Sequence, residues 1–238
     1  MYKRQFDDYA QEQARELEGP DPPQYGLSVS DETVTFEVLS AVGPILSYRE
    51  MSGGYTAGTA HPTGYTIVGV RDLSRADASP RLLDLFPEKQ VVAALKADRW
   101  VRKFANPEGG FARATSVAEL VAALDPDWAQ ENVTGDEPDC SLDVSFGEGF
   151  GGMFYFHHVE KGRLAVRILV APGSEWCNRL ATTQEVGVLL PIPDALRAHV
   201  AKAERGEAGF LAANRKAFGP LKYEGSWEVD IQTLVRKR

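Results

Sequence analysis

The sequence predicts an α+β chain: antiparallel sheets with packed helices, arranged as two small lobes. Three observations lead there. Consecutive segments between Thr33 and Leu73 alternate apolar and polar residues at period two, separated by short connections rather than by helices. Helical patterns then occupy the middle of the chain, and strand patterns return from Ser141. No internal repeat or low-complexity run interrupts this order, and the two lobes are expected at residues 1–80 and 81–238.

Phe6, Tyr9, Ala10, Gln13, Ala14 and Leu17 fall at helical spacing, and Gly19-Pro20 ends the pattern. The turn-rich GPDPPQYG follows. Thr33 to Val42 places Val34, Phe36 and Val38 on one face of a half-buried strand, and Ile45 to Met51 continues after Gly43-Pro44. The glycine-rich GGYTAGTAHPTGY leads into a third strand, YTIVGVRDL. Leu82, Leu83, Leu85 and Phe86 anchor a short turn, and Pro87 opens a helix expected to run to about Phe104. Ser116 should cap a further helix reaching Leu124, with Glu119 completing a capping box. LDVSF alternates, and FYFHHVE and GRLAVRILV form a hairpin across Glu160-Lys161-Gly162. Leu164, Val166, Ile168 and Val170 share one face of it, and Arg163 and Arg167 the other. EVGVLLPI is another strand. A helical stretch from Asp194 to about Ala217, broken at Gly206 or Gly209, and a strand carrying Trp227, Val229 and Ile231 complete the chain.

Composition narrows the function classes. The 238 residues suffice for a sizeable core, and 43% hydrophobic with 25% charged content is ordinary for a globular protein. Thirty-four acidic against 26 basic residues give a net charge of −8, which disfavours nucleic-acid binding because phosphate neutralisation needs a basic face. No apolar run approaches the roughly 20 residues that span a bilayer. The opening MYKRQ reads as a translated library adapter, so residues 1–5 are expected to be non-native, with any export signal or anchor lost upstream. Cys140 and Cys177 lack the C-x-x-C spacing of metal or redox motifs. They are either two separate buried thiols or one disulfide of an exported protein, whose closure would contribute about 4 kcal/mol.

No catalytic signature is present: no G-x-S-x-G, H-E-x-x-H, Walker loop or dinucleotide fingerprint. GEGFGG precedes a strand, not a helix, and reads as a flexible hairpin segment. His61 could be a general base, a ligand, a partner contact or a corner of its loop, and the glycines around it favour a turning role. His157 and His158, adjacent on a strand, should face opposite sides and share no metal. Asp136, Glu137 and Asp139 form an acidic cluster, read as a solvated loop. Trp176 is either a binding anchor or a cover for Cys177. No cofactor or metal is expected.

The order ILSYREMSGGYTAGTAHP, YTIVGVRDL, LLDLF resembles the extracytoplasmic domain of RsiV-like proteins, lysozyme-sensing anti-sigma factors whose domain also accompanies some peptidoglycan deacetylases. Tyr55, Thr56, Gly58, Ala60 and His61 match that family's loop between two strands. Asp72 and Leu73 match the strand end, and Leu83, Asp84, Leu85 and Phe86 the next element. Gly162, Leu164, Ile192, Pro193 and Leu196 match its closing segment, so the likeness spans roughly residues 6–200. The loop here is one residue longer with one glycine fewer, and GSEWCNRLATTQ replaces a tyrosine- and glycine-bearing stretch. The resemblance implies a non-catalytic exported envelope domain, periplasmic or lipid-anchored, that binds a protein such as lysozyme or a peptidoglycan component. Tyr55, Thr56, His61 and Trp176 are its candidate contacts. The acidic charge suits a cationic partner. The alternative is a cell-wall hydrolase pairing His61 with Asp72 or Asp84 as acid and base.

Overall fold

The computed structural model describes residues 29–55, 63–75, 79–124, 151–171, 184–219 and 222–230. Two antiparallel sheets and several helices make an α+β fold, as the sequence predicts. Strands β1 (Val29–Val42), β2 (Ile45–Tyr55) and β3 (Thr63–Asp72) follow one another, and β7 (Lys222–Asp230) joins them in a four-stranded sheet ordered β3-β2-β1-β7. Strands β4 (Phe154–Glu160), β5 (Arg163–Ala171) and β6 (Gln184–Pro191) form a second sheet in sequence order. Helices α1 (Leu82–Leu85), α2 (Glu88–Ala97), α3 (Val117–Ala122) and α4 (Asp194–Arg205) are supplemented by 3₁₀ turns at Val101–Phe104, Phe111–Arg113 and Ala212–Phe218. The helix expected at Phe6 to Leu17 lies outside the described residues, as do the side chains of Val170, Trp227, Val229 and Ile231.

Contacts divide the chain into two compact units, residues 1–35, 51–65 and 223–238, and residues 36–50 and 66–222. This division cuts β1, β2 and β3 along their length, whereas the expected boundary fell between residues 80 and 81. The smaller unit holds the outer strand ends, where the Tyr55 N–H donates to Asp31 Oδ1 at 3.2 Å and the Ser52 hydroxyl to Glu32.

The larger unit contains the main core. Period-two alternation puts Phe154, Phe156, Leu164, Val166, Ile168, Val186, Val188 and Leu190 on one face of the second sheet. There they pack with Val91, Val92 and Leu95 of α2 and Leu196, Val200 and Ala203 of α4. The sequence places Arg163 and Arg167 on the opposite face. That face is mixed: Tyr155 and Leu169 join Leu39 of β1 and Val68 of β3 in a second, smaller cluster. The β4–β5 turn has Lys161 at φ 51° and Gly162 at φ 71°, both left-handed, the backbone that a two-residue hairpin of matching twist requires.

One helix is shorter than its periodicity suggests, and the last helical stretch breaks at one of the two expected glycines. The first stops at Ala97 rather than Phe104, because Asp98 turns extended and its Oδ1 accepts the N–H groups of Trp100 and Val101, both at 2.8 Å. A short polar side chain able to bond the backbone two and three residues on starts a new turn there. α4 stops at Gly206 (φ 70°), where the N–H groups of Gly206 and Glu207 reach back to Ala203 and Lys202. Pro87 sits one position before the helix as its cap.

The capping box on α3 forms as expected: the Glu119 N–H donates to Ser116 Oγ at 3.1 Å, and Glu119 Oε2 accepts from the Ser116 N–H at 3.3 Å. Ser116→Ala should therefore destabilise the protein by about 1 kcal/mol, read as a lower urea midpoint at unchanged slope.

Candidate functional site

The most organised polar cluster lies on the mixed face of the second sheet, inside the larger unit. Tyr155 of β4 and Glu185 of β6 meet Glu37 of β1 and Arg49 of β2. The Tyr155 hydroxyl donates to Glu185 Oε2 at 2.7 Å, and Arg49 Nη2 donates to Glu185 Oε1 at 3.1 Å. Arg49 Nη1 reaches Glu37 Oε2 at 3.4 Å. Arg215, on the last 3₁₀ turn, approaches Glu37 Oε1 at 2.5 Å and donates to the Val38 carbonyl at 3.3 Å. Each carboxylate thus has a guanidinium on it. Burial, then the bond to Glu185, pushes the Tyr155 phenol well above its ordinary range, so the phenol serves as a donor. Two cations balance two anions, and the cluster ties strands of both sheets together. It is built to hold position.

Beside it, β4 departs from its ladder. Phe156 pairs with Val166 and His158 with Ala165, leaving His157 as the extra residue of a β-bulge. The bulge corrects the expectation that the two histidines face opposite sides. Their Nδ1 atoms lie 2.8 Å apart with the rings at 82°. His158 Nε2 is 3.7 Å from Glu160 Oε2. Burial, the Arg167 guanidinium and His158 hold the His157 pKa below its ordinary value of 6.5, with Glu185 opposing.

A depressed histidine pKa makes stability depend on pH with a definite sign. The unfolded chain takes the proton first as pH falls, so this ring's contribution is complete above about 6.5 and is lost through the folded pKa. Melting temperature should therefore fall between about pH 7.5 and about pH 5.5, and fall less steeply in His157→Asn.

Of the residues singled out from the sequence, Thr56, His61, Cys140, Trp176 and Cys177 lie outside the described residues, as do Asp136, Glu137 and Asp139. Tyr55 closes β2 and is half-buried. Asp72 bonds its own turn: Oδ1 accepts the Ser74 hydroxyl at 2.6 Å and the Ser74 N–H at 2.9 Å, with Arg75 Nε 3.5 Å from Oδ2. Those bonds from Ser74 hold its carboxyl below the usual range. Asp84 Oδ2 accepts the Arg81 N–H at 2.7 Å at the start of α1. Both carboxylates hold local backbone. Among the described residues no group of three or more His, Cys, Asp or Glu could hold a metal ion, and no helix is long and apolar enough to cross a membrane.

No family model, curated protein or solved structure matches the chain.

Proposed function

We propose that the chain is a non-catalytic, RsiV-like envelope domain that binds a protein or cell-wall ligand through the connection between β2 and β3. One observation carries the reading. Residues 56–62, where the resemblance is densest, join two strands that are neighbours in one sheet. A connection leaving one strand and entering the next is carried on a rigid support, the arrangement that recognition loops use. Asp72 then ends β3 with Leu73 directly after it, and Leu83 to Phe86 belong to α1 and its cap, in the order the family motifs have. The roles of Asp72 and Asp84 in capping backbone favour this reading over a hydrolase that needs either as acid or base. An exported, periplasmic or lipid-anchored setting belongs to the same proposal.

Titration calorimetry against lysozyme and co-sedimentation with purified peptidoglycan sacculi test it. Saturable binding to either, weakened at least tenfold in Tyr55→Ala or His61→Ala, supports the reading. Silence with both at high micromolar concentration, or clearing of the sacculi lost in His61→Ala, overturns it.

A further inference from the structure

We propose that Arg167, with His157 and its hydrogen-bonded neighbour His158 beside it, forms a binding site for a small phosphate-type dianion on the mixed face of the second sheet. The guanidinium is the first observation. Arg49 and Arg215 each sit on a carboxylate, whereas among the described residues no hydrogen bond or ion pair holds Arg167, which is half-buried. A guanidinium in that state keeps its planar fork of donors for a ligand.

Register builds its position. Arg167 of β5 stands across from Tyr155 of β4 on one side and Gly187 of β6 on the other. Gly187 has no side chain, so the guanidinium comes down over its backbone: Nη1, Cζ and Nε are 3.1, 3.3 and 3.5 Å from the point that a Cβ would take. Gly187 itself stays exposed, which leaves this part of the face open to water.

The bulge brings in a further donor. His157 is the extra residue of β4, close enough to Arg167 to feel its charge. Its Nδ1 lies 2.8 Å from Nδ1 of His158, a hydrogen bond that needs one proton between the two rings. Glu160 Oε2, 3.7 Å from His158 Nε2, favours a proton on that nitrogen, so His158 accepts through Nδ1 and His157 donates. The His157 Nε2 is then left for a ligand, and a proton taken up there makes it a donor.

The donor set selects the ligand. A carboxylate has two oxygens, and the guanidinium fork satisfies both, whereas a phosphate has a third for the imidazolium Nε2–H. The charged groups around His157 permit this. Glu185 of β6 favours its protonation but is itself held by Arg49 and Tyr155, and Glu160 of β4 is held by Lys161 at 3.4 Å. Arg167 of β5 and His158 oppose the proton. A dianion lying between Arg167 and His157 reverses that opposition, so proton and ligand are taken up together.

The test titrates the full chain with inorganic phosphate, against sodium chloride at matched ionic strength, and follows the histidine ring signals by nuclear magnetic resonance. Phosphate should shift the His157 ring saturably and move its titration to higher pH, and chloride should do neither. Arg167→Ala should lower phosphate affinity about tenfold or more, and Arg167→Lys, which keeps the charge and the stem but loses the fork, several-fold. Gly187→Ala, whose Cβ pushes the guanidinium off its seat, should weaken binding a few-fold with the fold intact. An equal response to chloride, acetate bound as tightly as phosphate, or Arg167→Ala with the wild-type affinity overturns the site.

Discussion

Gly209→Ala should cost about 3 kcal/mol or more, enough to remove a large part of the stability of an ordinary domain. Gly209 has φ 87°, a conformation that alanine adopts only with strain. A Cβ there would also collide with the Ala41 carbonyl oxygen. That oxygen cannot retreat cheaply, because it accepts the Phe210 N–H at 2.8 Å while the Ala41 N–H donates to the Phe210 carbonyl at 2.9 Å. The two bonds form the bridge that fastens the segment after α4 to β1. Gly162 separates strain from collision: φ is 71°, but a Cβ there would meet nothing within 4 Å. Gly162→Ala should cost only about 1 kcal/mol. Urea unfolding of both variants, compared at matched slopes, checks the pair, and equal midpoints would refute the close packing at Gly209.

Phe156→Ala is expected to cost about 3–5 kcal/mol. The ring is fully buried, 5.9 Å from the Phe154 ring and 6.5 Å edge-on from Phe86, in the layer between the second sheet and the helices. Removing it opens a cavity whose walls belong to strands and a helix that cannot close together. Leu73→Ala, at a residue 68% exposed, should change stability by no more than about 0.5 kcal/mol. Thermal unfolding of the two variants beside the wild type reads the contrast directly.

The elements that were legible in the sequence are those governed by local pattern. Alternation at Leu164 to Ile168 marks a strand because it buries one face, whereas the alternation at Thr33 to Val42 finds the strand but not its buried side: Val34, Phe36 and Val38 are half-buried, and Thr35, Leu39, Ser40 and Val42 are the buried residues. Ser116 with Glu119 announces its helix through bonds made within four residues. What local pattern could not supply came from competition or from distance. Val101 and Phe104 continue the apolar spacing of α2 as core residues, with Trp100 packed against them, which hides the break made by the Asp98 carboxylate. The tie between Arg49 and Glu185 spans 136 positions, so nothing near either residue signals it. Period-two reasoning places His157 and His158 apart by construction, and only the register against β5 discloses the bulge. Two adjacent histidines at the middle of a strand were the one available hint.

Recognition through the β2–β3 connection is tested most directly by hydrogen–deuterium exchange of the protein with and without excess lysozyme. The account predicts slowed exchange at Tyr55, in the connection that follows it and at the first residues of β3, with α4 and the β4–β5 hairpin unchanged. Unaltered exchange in that stretch, or protection confined to another part of the chain, would contradict it.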